Sequence, residues 1–271
     1  MSDYKLLVVD IDGTIVDGNG AISDADEKAL AGVMAAGITV SLSTGRVIRA
    51  CRKIIDRLSL DGHHIFFDGA LVSDPTQNEE IYCQPIEREL VRQAVEFARA
   101  NDIYLELYSE KQFFAERENW SDEVHYNYFG VATTITNFNG IWQRERIIKA
   151  EMVVREPEER IKSDLLQAEF DGRLRFSIAR SPAFPEIDFI NIINSGVSKG
   201  VALKKLASFL GISTEEIIAI GDGLNDISLL KTAGLAVAMG NAFPEVKRVA
   251  DYITLDVEHS GVAAAVRKFL G

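Results

Sequence analysis

The chain has little cysteine, histidine or proline, and each scarcity excludes something. Cys51 and Cys83 are the only thiols among 271 residues. They lie far apart with no Cys-x-x-Cys or Cys/His spacing, so neither a disulfide framework nor a structural zinc site is expected, and both thiols are expected buried and reduced. Six prolines and twenty glycines are too few for a collagenous or low-complexity chain. Basic residues are outnumbered: 29 Lys and Arg against 41 Asp and Glu give a net charge of −12. That charge repels nucleic-acid backbones and anionic bilayers, so no nucleic-acid partner is expected. No apolar run reaches the ~18 residues that cross a membrane. The opening MSDYKLLVVDID also lacks a basic n-region, so the expectation is no membrane and a cytoplasmic location. What is present is 47% hydrophobic and 26% charged residues, the composition of a globular enzyme of about two domains.

The pattern of apolar residues alternates between two textures. KLLVV (5–9), ITVSLS (38–43), EIIAI (216–220), LAVAM (235–239) and YIT (252–254) are short apolar runs of the kind that form strands buried on both faces. Helical spacing lies between them: Leu30, Val33 and Met34 behind a candidate N-cap Ser23, then Ile48, Cys51, Ile54, Ile55 and Leu58 in a helix beginning near Gly45, then 198–210. From about Gln84 the texture changes. A helix through Leu90, Val91, Ala94 and Phe97 leads to IYLELY (103–108), in which Tyr104, Glu106 and Tyr108 alternate with Ile103, Leu105 and Leu107. FFA, EMVV, RLRFSIA and EIDFINI follow, with a helix through Ile161, Leu165 and Leu166. The expected fold is therefore α/β, a Rossmann-like parallel-sheet core at 1–83 and 188–271, with an inserted α+β cap domain at 84–187.

In open parallel sheets ligands bind beyond the carboxyl ends of the strands, and the polar motifs of this sequence stand there. The first strand ends in Asp10-Ile11-Asp12-Gly13-Thr14, the second in Ser43-Thr44-Gly45-Arg46, and EIIAI in Gly221-Asp222-Gly223-Leu224-Asn225-Asp226. If these strands are neighbours, Asp10, Asp12, Asp222 and Asp226 converge. Two carboxylates at ~4 Å repel by about 4 kcal/mol at an effective dielectric of 20, so a cation belongs among them. A hard oxygen-seeking ion such as Mg²⁺ suits them, and Lys199 can add a second positive charge. Thr44 and Gly45, at a strand-to-helix turn, can seat a phosphate. One Asp can attack phosphorus, and a second two residues on can protonate the leaving oxygen. The chemistry expected is an aspartyl-phosphate hydrolase.

Asp10-Ile11-Asp12-Gly13-Thr14, Thr44-Gly45-Arg46, Lys199 in Gly196-Val197-Ser198-Lys199-Gly200, and Gly221-Asp222-Gly223-Leu224-Asn225-Asp226 resemble, in order, the four motifs of the haloacid dehalogenase superfamily of phosphatases. The stretches Val237-Ala238-Met239-Gly240-Asn241-Ala242 and Ser260-Gly261-Val262-Ala263 are similar to its Cof-like branch, which carries a type IIB cap. The resemblance implies Asp10 as nucleophile and Asp12 as general acid and base. It implies Thr44, Lys199 and Asn225 as phosphoryl ligands, and Mg²⁺ held by Asp10, the Asp12 carbonyl and Asp222, with Asp226 ligating the metal or orienting its waters. Arg46 is a further candidate for substrate or phosphate contact. The implied substrate is a small phosphorylated metabolite such as a sugar phosphate or pyridoxal phosphate. Two other functions use similar parts: a phosphomutase, and a phosphoryl-accepting regulatory domain, against which Asp12 argues. The chain departs from the branch at Asp68-Gly69-Ala70, where Asn-Gly-Ala is common.

Other polar and aromatic residues attract simpler readings. His63-His64 is expected in a loop, and His125 and His259 have no ligand partner at useful sequence spacing. Trp120, Tyr126, Tyr128 and Phe129 are expected mainly as cap core, with a secondary place at the substrate entrance.

Overall fold

The computed structural model describes residues 4–181 and 183–271. In chain order its strands are β1 (Leu6–Val9), β2 (Thr39–Leu42), β3 (His64–Phe66), β4 (Leu71–Asp74), β5 (Glu79–Cys83), β6 (Glu106–Tyr108), β7 (Phe113–Ala115), β8 (Thr134–Ile135), β9 (Lys149–Val154), β10 (Leu174–Ser181), β11 (Phe184–Asn194), β12 (Ile217–Gly221), β13 (Leu235–Ala238) and β14 (Tyr252–Ile253). Five form a parallel sheet in the order β14-β13-β12-β1-β2. The four residues of β1 are apolar and fully buried, as expected of a strand covered on both faces. Helices Asp24–Ala35, Ile48–Leu58, Lys199–Leu210 and Gly261–Phe269 contribute buried residues to the same apolar core. Ser23 caps the first of these helices, its Oγ accepting from the Asp26 N–H. The order places β1 between β2 and β12, with Val9 level with both Leu42 and Ile220. Everything that immediately follows those three residues therefore meets at one edge.

A second sheet has the order β10-β11-β9-β6-β7-β8 and an apolar cluster of its own. Leu107, Ala150, Met152, Ile190 and Ile192 belong to that cluster, as do Val91, Val95 and Leu166 from helices Arg88–Ala100 and Pro157–Glu169. The alternate residues point the other way, because neighbours along a strand face opposite sides. The register lines up Ser177, Asn191, Glu151 and Glu106 as one polar row across four strands. That row faces the parallel sheet: Asn191 Nδ2 donates to Asp68 Oδ2 at 2.7 Å, and Lys149 Nζ reaches the Gly45 carbonyl at 3.4 Å. The architecture is an α/β core with a cap.

Several elements differ from the sequence reading. The expected return to the core at residue 188 falls inside β11, which pairs with β10 as far as Asn194. β5 joins β3 and β4 in a small antiparallel sheet that apolar periodicity does not reveal, since its residues are exposed or half-buried. His64 opens β3 rather than lying in a loop. The helix expected from Gly45 begins at Ile48, behind Val47, whose side chain makes no capping hydrogen bond. Cys51 is buried and Cys83 is half-buried, and both are free thiols.

Candidate active site

Asp10 follows β1 directly, and its N–H donates to the Ile220 carbonyl of β12 at 3.0 Å. Ser43 N–H donates to Val9 O at 2.9 Å on the other side. These ladder bonds carry the three motifs to one place. Lys199, the first residue of its helix, is 1% exposed and delivers Nζ to Asp10 Oδ1 and Asp226 Oδ1, both at 2.6 Å, and to the Ser43 carbonyl at 3.0 Å. A buried ammonium holding two carboxylates uses all three of its protons. Burial opposes its charge, but Asp10 and Asp226 outweigh burial and hold its pKa above the usual value.

Carboxylates from three stretches of chain meet at this corner. One oxygen from each of Asp10, Asp222 and Asp226 lies within 4.8 Å of the others. Burial, then the charge of Asp226, raises the pKa of Asp10, and the same two causes push Asp222 up to about 8. Asp226 is fully buried and its oxygens are engaged: Oδ1 by Lys199, and Oδ2 by the N–H groups of Asp222 at 3.1 Å and Gly223 at 2.9 Å. Asp10 and Asp222 line a cavity of about 390 Å³ between cap and core, which Asp226 does not. Thr14 Oγ1 donates to Asp222 Oδ1 at 3.0 Å. Gly13 has φ +79°, and a Cβ there would sit 2.4 Å from Asp222 Oδ2, so only glycine permits this approach.

Thr44, Gly45 and Arg46 also line the cavity. Thr44 Oγ1 accepts from the Arg46 N–H at 3.1 Å, and a Cβ on Gly45 would fall 2.9 Å from Asp68 Oδ1. Arg46 is not free to meet a phosphate. Its Nε and Nη2 donate to Asp12 Oδ2 and Oδ1 at 2.8 and 2.5 Å, and Phe129 and Tyr128 of the cap lie 4.9 and 5.5 Å from its guanidinium carbon. Asn225 lies in the short turn Leu224–Asp226, with its Nδ2 donating to Asp68 Oδ1 at 2.9 Å. The fold thus brings all eight candidate residues to one corner, with Asp226 behind the cavity wall and Arg46 turned onto Asp12.

Some of the site is invisible in the sequence. Asp68 accepts from Asn225 of the core and from Ser177 and Asn191 of the cap, and does not itself line the cavity. His125, for which sequence spacing offers no partner, bonds Glu106 through Nε2 at 3.1 to 3.2 Å. Phe129 lines the cavity, as the secondary reading expects, whereas Tyr126 is 66% exposed. His259 pairs only with Asp256 at the surface. Among the described residues no helix is long and apolar enough to cross a membrane.

Comparison with known proteins agrees with this geometry. The family model described as haloacid dehalogenase-like hydrolase matches residues 7–266. The stress response protein YhaX of Bacillus subtilis is 29% identical, over 98% of this chain and 93% of its own. The 5-amino-6-(5-phospho-D-ribitylamino)uracil phosphatase YcsE of the same organism is 29% identical over 99% and 96%. Among solved structures, the haloacid dehalogenase subclass IIB sugar phosphatase BT4131 superposes with a TM-score of 0.82 at 25% identity, covering 98% of each chain.

Proposed function

The chain belongs to the haloacid dehalogenase-like hydrolases and is a phosphoric monoester hydrolase, and we propose that it is a Mg²⁺-dependent phosphatase of a small soluble metabolite, working through an aspartyl phosphate on Asp10. The observation that carries this reading is the position of Asp10 at the end of the central strand, held by Lys199 and opening on the same cavity as Asp12, Thr44 and Asp222.

A divalent cation fits the residues present. Asp10 and Asp222 are hard oxygen donors, both with raised pKa values because burial and neighbouring charge leave them under-neutralised. We assign the metal to Asp10, the Asp12 carbonyl and Asp222, with Asp226 orienting the set, since its own oxygens are taken by Lys199 and two N–H groups. When bound, the ion neutralises the carboxylates and draws charge from the phosphoryl oxygens.

The other steps belong to the chain itself. Thr44, the N–H groups around Gly45, Lys199 and Asn225 hold the phosphoryl group. An Asp10 oxygen bonds to phosphorus while the alcohol oxygen leaves, and Asp12 gives that oxygen a proton. Asp12 then takes a proton from the water that attacks the same phosphorus, releasing inorganic phosphate and restoring Asp10. The cap excludes bulk water during both steps. The substrate is a small phosphorylated metabolite; the relative YcsE acts on 5-amino-6-(5-phospho-D-ribitylamino)uracil. Hydrolysis of 4-nitrophenyl phosphate tests the reading: Asp10→Asn or removal of Mg²⁺ should lower turnover by about a thousand-fold or more, and undiminished turnover refutes it.

A further inference from the structure

The cap's polar row carries a cluster that the phosphate chemistry does not use. Glu106 stands opposite Glu151 and Tyr108 opposite Lys149 on β6 and β9, so two carboxylates, a phenol and an ammonium share one face, all nearly sealed from solvent. His125, from helix Ser121–Asn127, completes the group: a ring nitrogen and one oxygen of each glutamate lie within 4.8 Å of one another.

Counting protons shows what the protein leaves unfilled. Lys149 Nζ places its three protons on Glu151 Oε2 at 2.5 Å, Asn191 Oδ1 at 2.9 Å and the Gly45 carbonyl at 3.4 Å. Glu106 accepts from Ser121 Oγ at 3.0 Å and from His125 Nε2. The Tyr108 hydroxyl lies 2.8 Å from Glu106 Oε2 and 3.1 Å from Glu151 Oε1. It has one proton for two carboxylates, so Glu151 Oε1 goes short when that proton points to the nearer oxygen. On His125, Nε2 donates to Glu106, and Nδ1 has no hydrogen bond to any described residue. Burial opposes a charge on this ring, but Glu106 outweighs burial and raises its pKa, which favours a proton on both nitrogens. Lys149 already neutralises this corner, so a metal ion is poorly suited to it.

Glu151 and His125 both line the cavity that Asp10 and Asp12 open into, and Phe129, Val131, Ile178 and Phe189 form apolar wall around them. We propose that Glu151 and His125 read the leaving group, and that this group carries a planar ring with a cyclic amide edge, its N–H donating to Glu151 and its carbonyl accepting from His125. The acceptor and donor sit side by side at the spacing such an edge presents, and flat apolar walls suit a ring where a bare polyol would face Phe129 and Phe189 with unpaired hydroxyls. Glu106 is the positioning residue that fixes the imidazole.

This inference rests on the phosphatase reading, and the experiment separates the two. The full chain with Mg²⁺ is assayed for kcat/KM on two matched pairs: ribose 5-phosphate against uridine 5′-phosphate, and ribitol 5-phosphate against 5-amino-6-(5-phospho-D-ribitylamino)uracil. The ring-bearing member should be favoured by about ten-fold or more in at least one pair. That preference should fall by about ten-fold in Glu151→Gln, because Lys149 draws the amide oxygen to itself and turns the NH₂ toward the substrate N–H, and likewise in His125→Asn. A ratio between substrates is unaffected by loss of folded enzyme. Equal or lower kcat/KM for the ring-bearing member in both pairs, or a preference that survives Glu151→Gln, overturns the inference. A wild type inactive on 4-nitrophenyl phosphate as well contradicts the phosphatase reading instead.

Discussion

Arg46 clasps Asp12: Nε and Nη2 of the guanidinium each meet a different carboxylate oxygen, at 2.8 and 2.5 Å. The planar fork fixes the carboxylate plane, which a lysine cannot do. Both faces of the contact involve the cap, since Phe129 and Tyr128 lie 4.9 and 5.5 Å from the guanidinium carbon. Aiming of the proposed acid and base is thereby tied to closure of the cap. General acid and base groups contribute roughly 10²–10⁴-fold, and mis-aiming loses part of that. Arg46→Lys should therefore lower kcat by roughly ten- to a hundred-fold while KM changes less, measured by steady-state kinetics on one phosphomonoester. A raised KM with unchanged kcat would return Arg46 to the direct phosphate contact that its motif suggests.

Asp68 joins core and cap. Its Oδ1 accepts from Asn225 of the core, and its Oδ2 from Ser177 at 2.9 Å and Asn191 at 2.7 Å of the cap. All three donors are neutral, and an asparagine at 68 would turn an NH₂ toward at least one of them. Losing a hydrogen bond to a charged group costs about 1.5–3 kcal/mol. Asp68→Asn should accelerate amide hydrogen exchange in β10 and β11 by about ten-fold or more, with little change in the five-stranded sheet. Unchanged exchange in β10 would mean that Asp68 does not hold the cap closed.

His64 makes stability depend on pH. Its Nδ1 accepts the Leu42 N–H at 3.3 Å, which requires an unprotonated nitrogen, and burial lowers its pKa to about 4. An unfolded histidine titrates near 6.5. Between about 6.5 and 4 the unfolded chain binds the extra proton, so stability is whole above that window and is lost as pH falls through it. The contribution of this one group between about pH 7 and 5 is roughly 2 kcal/mol. His64→Asn, whose Oδ1 can replace Nδ1, should lose that much less stability over the same interval in urea unfolding. Parallel curves for the two proteins would assign the acid sensitivity elsewhere.

The core was legible because buried parallel strands advertise themselves. LLVV, TVSL, IIAIG and LAVA are short apolar runs, each ending where its motif begins. Convergence of Asp10, Thr44 and Asp222 then needs only that β1 lie between β2 and β12, as it does. The cap was less legible. Glu106 and Glu151 come together through strand register, and His125 joins them through tertiary packing, neither of which has a one-dimensional signal. Asp68 reads as a substrate contact in sequence because its loop adjoins the motifs, yet its carboxylate is filled by Asn225, Ser177 and Asn191. Arg46 likewise has the charge for a phosphate, but Asp12 is within its reach and takes both of its donors.

A covalent bond between phosphorus and Asp10 is the centre of the mechanism, and it can be trapped. Borohydride reduces an aspartyl phosphate to homoserine, so enzyme quenched during turnover, reduced and digested should yield a peptide with homoserine at position 10. Its yield should rise in Asp12→Asn, in which water attack on the acyl phosphate lacks a base. Steady turnover with aspartate intact at position 10, or homoserine at any other residue, would contradict the account.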